Sequence, residues 1–391
     1  MKKILIIHSS LGGGGAERVL IDLLKNIDQS KFSVDLLLIY GRGVYLNEIP
    51  PYINYIGCIY KGDRPFYKWF IARLHLGHLF EKYEIRRIVK GHYDTIVSFM
   101  ENGPIKYHSF ITDKADKNVT WVHIDLLNNH YSRYSFMGLG HELRAYQLMD
   151  TIVFVSETAK DNFTKLFRIK SDKLVVIHNP IDVNRIKELA KQPIAAKKQF
   201  SICMVGRICQ QKRYDRLVQA ARILVDKNCD IHIDVLGTGP EEERIMELVR
   251  TSGLESVFTF HGFCTNPYPF IKRSDAFCLS SDTEGFPTVI CEAMVLGTPV
   301  IATNVVGSRD LLDNNKYGIL TDLSPQGFAD GIFKLYCSVE LREFYKIKSL
   351  ERSKMFDIGT AMDSIYKIIL STTIICFILH LHFYILYYLV Y

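Results

Sequence analysis

Short apolar runs alternate with amphipathic stretches along most of the chain. Runs of this kind, bounded by turn residues, predict buried strands. They lie at 4–8, 33–39, 53–59, 95–99, 119–122, 152–155 and 174–177, and again at 201–205, 231–236, 276–279 and 298–302. Because helical patterns separate several of them, we expect parallel sheets with helices on both faces. The pattern therefore predicts an α/β fold.

The chain is longer than one ordinary domain. Its 391 residues, of which 48% are hydrophobic, are sufficient for two cores. The dipeptide Asn179–Pro180 is a turn signal that marks the end of the first half. We therefore predict a first domain over 1–180, a linker over 181–198, a second domain over 199–349, a last helix over 350–370 and an apolar tail over 371–391.

The stretch 280–300, SSDTEGFPTVICEAMVLGTPV, joins the predicted strand 276–279 to a predicted helix. Pro287 suits the first position of that helix, which we expect to end at Gly297. The first helical amides have no intrahelical acceptors and lie at the positive end of the helix dipole, so they suit a phosphate. These candidate anion-binding residues are Gly285, Phe286, Pro287, Thr288 and Val289.

Two acidic residues, Glu284 and Glu292, lie on either side of this predicted anion site. Carboxylates in these positions would accept hydrogen bonds from sugar hydroxyls on both sides of a diphosphate. The alternative is that each is an ordinary solvated charge. Their place between a strand, a turn and the next strand favours the binding role.

A glycine turn follows the first predicted strand and precedes an amphipathic helix. Glycine lets a backbone approach a ligand closely, so Gly14 and Gly15 are candidates for contact with a ligand. A dinucleotide-binding fingerprint would also require an acidic residue at the end of the next strand. Asp35 instead precedes the apolar residues of that strand, so the glycine turn alone is a weak signal.

Two cations, Arg207 and Lys212, occupy the loop after the predicted strand 201–205. The planar guanidinium and the mobile ammonium would together neutralise a diphosphate. The alternative for each is ordinary surface charge. His123 directly follows the predicted strand 119–122, a position where a histidine usually has a structural role.

The segment from Glu284 to Glu292, with seven residues between the two acids, resembles the donor-site signature of the family 4 retaining glycosyltransferases of GT-B fold. The glycine turn with Glu17 and the segment around His123 also resemble family segments. The resemblance implies two Rossmann-like domains with parallel sheets that face each other across a cleft. It implies an acceptor-side first domain, a nucleotide-sugar-binding second domain and a last helix that crosses back to the first.

Roles for individual residues are also implied by this resemblance. Glu284 would contact the transferred sugar, Glu292 the ribose, and His123 the cleft near the donor sugar. The backbone around Phe263 would border the nucleobase; independently of the resemblance, we expect its apolar side chain in the core. The resemblance assigns the catalytic roles to Arg207, Lys212, Glu284 and His123.

The net charge of +6 comes from the first half of the chain. Residues 1–180 carry 24 Lys/Arg against 18 Asp/Glu, and the remainder carries 24 of each. This asymmetry indicates an anionic partner, either a membrane surface or nucleic acid. The stretch 61–90 combines eight Lys/Arg and three Asp/Glu with several aromatic residues. The pattern predicts either a helix that binds an anionic membrane surface or an ordinary helix that covers the sheet. Nucleic acid binding is disfavoured because no recognised binding module accompanies this stretch.

The nine cysteines are scattered and include no CxxC pair, which disfavours a disulfide framework or a zinc site and favours the cytoplasm. No Asp-x-Asp segment indicates a metal site. The tail 371–391 carries no charge and is about 31 Å long as a helix, enough to cross a bilayer core. It predicts a membrane segment, an interfacial or partner-packed helix, or a tail with no selected role; we favour membrane contact.

The predicted function is that of a membrane-associated cytoplasmic retaining glycosyltransferase that needs neither metal nor cofactor. It would move a hexose or N-acetylhexosamine from a nucleoside diphosphate sugar, with UDP favoured over GDP, to a hydroxyl of a lipid-linked saccharide in surface polysaccharide synthesis. The alternatives are a sugar-nucleotide epimerase of the same fold and a non-catalytic partner subunit of a glycosylation complex. Nucleic acid is not an expected partner.

Overall fold

The described residues contain two parallel sheets, each covered by helices. The structure is a computed structural model, and it describes residues 1–61, 77–169, 171–196, 199–356 and 358–370. The first sheet has seven strands in the order β3-β2-β1-β4-β5-β6-β7, and the second has six in the order β10-β9-β8-β11-β12-β13. The expected α/β architecture with two parallel sheets is confirmed.

The strands follow the apolar runs closely. They are β1 Lys2–His8, β2 Phe32–Tyr40, β3 Asn54–Tyr60, β4 Tyr93–Ser98, β5 Ala115–Val122, β6 Thr151–Phe154, β7 Leu174–Val176, β8 Phe200–Val205, β9 Ile231–Leu236, β10 Phe258–Phe260, β11 Ala276–Leu279, β12 Val300–Thr303 and β13 Ile319–Thr321. The α-helices are α1 Gly15–Lys25, α2 Gly77–Ile88, α3 Gly103–His108, α4 Leu139–Gln147, α5 Glu157–Phe167, α6 Val183–Leu189, α7 Tyr214–Asp226, α8 Glu242–Thr251, α9 Tyr268–Arg273, α10 Thr288–Val295, α11 Val306–Leu312, α12 Pro325–Cys337, α13 Val339–Ser353 and α14 Ile358–Leu370.

The strand order puts one reversal point in each sheet. β1 pairs with both β2 and β4, and β8 pairs with both β9 and β11. Open parallel sheets bind ligands beyond the carboxyl ends of their strands, at such a reversal point. The loop after β1 is the glycine turn, and the loop after β8 carries Arg207 and Lys212. The topology therefore directs both candidate ligand loops to the binding edges of their sheets.

The last described helix packs on the first sheet, although it follows the second sheet along the chain. Met362, Ile365 and Ile369 of α14 are buried in the same core as α1 and β1. The Tyr366 hydroxyl accepts a hydrogen bond from the Asp28 amide at 2.8 Å. Burial of apolar side chains drives this packing, at about 25 cal/mol per Å² removed from water. α14 therefore ties the end of the described chain to the first sheet.

Two predicted segments fall wholly or partly outside the described residues. Of the basic stretch 61–90, residues 62–76 lie outside them, and the described part includes α2. The apolar tail 371–391, predicted as a C-terminal apolar helix, also lies outside them. Among the helices that the structure does describe, none has both the length and the apolar character needed to cross a membrane.

Candidate active site

The carboxyl-terminal edges of the two sheets, where open parallel sheets bind ligands, contact each other at glycine residues. Gly285 lies in the loop between β11 and α10, and a Cβ added there would overlap the carbonyl oxygen of His123, just after β5. A Cβ added at Gly15 would lie 3.2 Å from Oγ1 of Thr288. The glycine turn of the first sheet therefore faces the start of α10 on the second.

Pro287 is the N-cap residue of α10 and has an extended conformation. Among the described residues, no side chain accepts a hydrogen bond from the first amides of this helix. The preceding loop is held in place because the Gly307 amide donates to the Glu284 carbonyl at 3.1 Å. The predicted anion-binding residues, Gly285, Phe286, Pro287, Thr288 and Val289, thus form a fixed turn whose helix dipole favours an anion.

Glu284 and Lys212, predicted independently from two distant segments, are in contact. The Lys212 ammonium donates to Oε1 of Glu284 at 2.6 Å. The hydroxyl of Ser281 donates to the same oxygen at 2.5 Å, and the Glu284 side chain is almost fully buried. A hydrogen-bonded ion pair therefore stands beside the start of α10.

Arg207 is exposed in the loop after β8. Among the residues that the structure describes, it makes no hydrogen bond and no ion pair within 4 Å. Its charge acts across the cleft on Glu17 of the glycine turn: burial raises the pKa of the Glu17 carboxyl, and Arg207 opposes that rise. The guanidinium is therefore near the cleft and available to an anionic ligand.

Glu292, in contrast to Glu284, lies in a buried polar cluster between the two sheets. Burial raises the pKa of its carboxyl to about 7, an effect that Arg185 and Arg18 oppose and Asp22 reinforces. Arg185 of α6 donates to the Tyr268 hydroxyl at 3.0 Å and contacts Asp22 of α1 at 3.4 Å. Glu292 thus faces a charged network that spans both halves of the chain.

The sequence reasoning missed this network. Asp22, Arg185 and Tyr268 belong to no motif, and each is an ordinary residue of an amphipathic helix. A signal existed for Asp22 alone, because an acidic residue on the apolar face of a helix is seldom buried without a partner. The other two are brought to Glu292 only by the packing of α6 and α9 against α10.

His123 lies beyond β5, next to Phe99. Burial, and to a smaller extent nearby His8, lowers the pKa of its imidazole to about 3, so the ring is neutral at pH 7. Its Nε2 is buried without a hydrogen-bond partner among the described residues. Its backbone amide donates to Oε2 of Glu101 at 2.8 Å. The neutral ring therefore retains a nitrogen that a ligand hydroxyl could use.

His8, Glu101 and Tyr131 form a polar cluster around His123 that the sequence reasoning did not single out. The His8 ring donates from Nδ1 to the Ser10 carbonyl at 2.9 Å, and burial lowers its pKa to about 4. The Tyr131 hydroxyl donates to Glu101 at 2.5 Å. A usable signal was the occurrence of polar residues at the carboxyl ends of β1 and β4, which the topology brings to one edge.

The expectation that the Phe263 side chain lies in the core is wrong. It follows Gly262, which adopts a positive φ of 64° in the loop after β10, and its side chain is 42% exposed. A Cβ added at Gly13 would lie 3.3 Å from the Phe263 ring. The ring therefore faces the glycine turn from the second sheet. It is placed to border a ligand in the cleft.

The site contains no evident cluster of metal ligands. Within the described ranges, no group of three or more His, Cys, Asp or Glu side chains is arranged to hold a metal ion. Positive groups beside the start of α10 include the Lys212 ammonium, which pairs with Glu284, and the helix amides.

Two facing parallel sheets with a polar site between their binding edges define the GT-B class of glycosyltransferases. The fold matches that of HepE from Anabaena, solved with UDP and glucose, with a TM-score of 0.72 and 21% identity over 94% of this chain and 99% of that one. It also matches S. aureus TarM, with a TM-score of 0.74 and 13% identity over 95% and 100% of the two chains.

Two family models assign the chain more narrowly. Residues 13–185 match "Glycosyltransferase Family 4", and residues 185–349 match "Glycosyl transferases group 1". The chain therefore belongs to the family 4 glycosyltransferases of GT-B fold. A Campylobacter jejuni relative is 28% identical over 365 residues, which are 91% of this chain and 96% of the relative. Its name is N-acetylgalactosamine-N,N'-diacetylbacillosaminyl-diphospho-undecaprenol 4-alpha-N-acetylgalactosaminyltransferase.

Proposed function

We propose that this glycosyltransferase moves a hexose or N-acetylhexosamine, with retention of configuration, from a UDP-sugar to a hydroxyl of a lipid-linked saccharide in surface polysaccharide synthesis. The observation that carries the proposal is the Lys212–Glu284 pair beside the uncapped start of α10, opposite the glycine turn. The UDP in the HepE structure supports the donor, and the name of the Campylobacter jejuni relative supports the acceptor.

In this proposal, the protein stabilises the charge that develops on the departing diphosphate. Arg207, Lys212 and the amides at the start of α10 supply positive charge in a preorganised site, so the mechanism is proposed without a metal ion. When the donor binds, the Lys212 ammonium is shared between Glu284 and a phosphate oxygen. Contact between the sheet edges excludes water and limits hydrolysis of the donor.

The remaining residues would orient the donor. Glu284 accepts hydrogen bonds from hydroxyls of the transferred sugar and Glu292 from those of the ribose. The neutral His123 offers Nε2 to another sugar hydroxyl. The leaving phosphate itself removes the proton of the acceptor hydroxyl on the same face of the sugar, and the product therefore keeps the anomeric configuration.

Substitution of Lys212 and Glu292 tests this proposal. We expect Lys212→Ala and Glu292→Ala each to lower transfer about 100-fold or more, because each removes an interaction with the donor. Thermal-shift screening of nucleotide sugars first selects the donor, and transfer of labelled sugar to a lipid-linked saccharide is then measured. Lys191→Ala is the matched control, since Lys191 pairs with Glu188 at 2.5 Å on an exposed surface.

Near-normal transfer by both variants, with circular dichroism unchanged, would contradict the assignment. The same assay separates the two alternatives. An epimerase would convert the donor to its epimer without an acceptor, whereas a non-catalytic subunit would bind the nucleotide and show no turnover.

We also propose that the first domain binds the cytoplasmic face of an anionic membrane. A cavity of about 900 Å³ lies between α2, α3 and α4, and its lining includes the cations Lys82, Arg86, Lys106 and Arg144. Large apolar side chains are exposed on and near its rim, namely Leu79, Tyr83, Tyr134, Met137, Leu139 and Leu148. Exposed apolar and cationic side chains on one surface suit the headgroup region of an anionic bilayer.

Vesicle co-sedimentation tests the membrane proposal. We expect the full chain to bind vesicles that contain phosphatidylglycerol and to be released by salt, because the attraction is electrostatic at the headgroups. Lys82→Glu changes the charge by two units and should weaken this binding about 30-fold, at about 1 kcal/mol per charge near the surface. Lys346→Glu on α13 is the control. Equal binding of wild type and Lys82→Glu would contradict the proposed surface.

A further inference from the structure

An acidic residue, Glu17, lies beside the glycine turn that faces the candidate donor site. Glu17 is in the first turn of α1, and its carboxylate folds back over the glycine turn so closely that a Cβ at Gly14 would overlap Oε2. The same turn meets Thr288 at the start of α10 and Phe263 after β10. Glu17 therefore lies at the junction of the two sheets, on the side where the donor diphosphate is proposed to bind.

Each of the two cations proposed to bind that diphosphate already interacts with a carboxylate. Lys212 pairs with Glu284 at 2.6 Å. The charge of Arg207 acts on Glu17, where it opposes the rise in pKa that burial causes. A diphosphate would bring further negative charge to cations that are already partly neutralised. Diphosphate binding is therefore favoured when one of these carboxylates is protonated or no longer interacts with its cation.

Glu17 loses its charge more readily than an ordinary glutamate, because burial raises the pKa of its carboxyl. The Glu284 carboxylate is instead held directly by an ammonium and a hydroxyl. The backbone amides of Glu17 and Gly14 and the charge of Arg207 oppose the effect of burial on Glu17. Among the described residues, the phenols Tyr45 and Tyr131 also interact with it, and both are neutral at pH 7. Arg207 is thus the cation that favours its ionised form, and a bound diphosphate would compete for that cation.

We propose that Glu17 is a charge gate of the donor site, at which its carboxylate and the nucleotide diphosphate compete for Arg207. The nucleotide then binds preferentially to the protein in which Glu17 is protonated. This inference rests on the proposed function. It also gives Glu17 a role in turnover, because UDP carries one more negative charge than the donor once the proton taken from the acceptor hydroxyl has passed to solvent. The ionised gate then repels the product and speeds its release.

Calorimetric titration of the full chain with UDP tests the gate. At pH 8 we expect Glu17→Gln to bind UDP about five-fold more tightly than wild type or better, because the amide cannot ionise and repel the diphosphate. At pH 5.5 the two affinities should lie closer together, since burial raises the pKa of the Glu17 carboxyl and a larger fraction of it is protonated at the lower pH. Ionisation of UDP is common to both proteins, so comparison at each pH cancels it.

The matched control is Glu340→Gln, which removes an exposed first-turn acid of α13 that accepts a hydrogen bond from its own N-cap residue, Ser338, at 2.9 Å. Its UDP affinity should equal that of wild type at both pH values. Should Glu17→Gln fail to fold, Glu17→Ala serves as the second variant, with the same expected direction.

The outcomes separate this inference from the proposed function. If the folded Glu17 variant binds UDP as tightly as wild type at pH 8, or less tightly, the gate is overturned while the donor site stands. If neither protein binds UDP, the proposed donor site fails and the gate fails with it. A gain at pH 8 that becomes smaller at pH 5.5 supports the gate.

Discussion

At the scale of single residues, the two acids of the signature segment have opposite electrostatic environments. Glu284 is held by a lysine and a serine, which keep its carboxylate paired. Glu292 is buried among groups that only partly compensate for its charge, so its pKa rises to about 7. Glu292 is therefore close to its titration point at neutral pH, whereas the Glu284 carboxylate is paired with a cation. The surroundings of each residue, and not its type, decide this difference.

Glu292 should make stability depend on pH. The folded carboxyl has a pKa of about 7 against 4.5 for an ordinary glutamate, so the folded state binds more protons between these values and stability falls as pH rises from 4.5 to 7. We expect Glu292→Gln to approach wild-type stability at pH 5 and to exceed it by about 2–3 kcal/mol at pH 8. Denaturant unfolding at both pH values measures this, and a pH-independent difference would contradict it.

At the scale of elements, the apolar pattern located long strands well and short elements poorly. The run 231–236 coincides with β9, whereas β13 has only three residues and gives no periodic signal. α6 lies inside the predicted linker. Its N-cap, Asp182, accepts a hydrogen bond from the Arg185 amide at 2.9 Å, a local signal that single-sequence reading overlooked. The overlooked helix positions Arg185 toward Asp22 and Glu292.

The residues of the candidate site could be chosen from the sequence, but their contacts could not. Lys212 and Glu284 are 72 positions apart, and they meet because β8 and β11 are neighbours in the sheet. Strand order depends on packing across the whole domain, which local patterns do not encode. Phe263 shows the opposite case, because its apolar character predicted burial whereas the loop after β10 leaves it exposed.

At the scale of the whole molecule, several contacts between the two halves lie close to the candidate site. Gly285 meets the His123 backbone, Gly15 meets Thr288, and Asp22 meets Arg185. Asp22 comes from the first sheet's α1 and Arg185 from α6, which packs on the second sheet's core. The geometry of the site is therefore coupled to the separation of the two sheets. A change that forces them apart should affect chemistry more than folding.

Gly285→Ala tests this coupling, because the added Cβ would overlap the carbonyl oxygen of His123 and can be relieved only by moving the two edges apart. We expect transfer to fall about 100-fold, the effect of a misplacement of about 1 Å at a reacting centre, with circular dichroism unchanged. Small-angle scattering should show a larger radius of gyration. Gly140→Ala is the control, since nothing lies within 4 Å of a Cβ at that position. Normal transfer by Gly285→Ala would show that contact between Gly285 and His123 is not required in the reacting state.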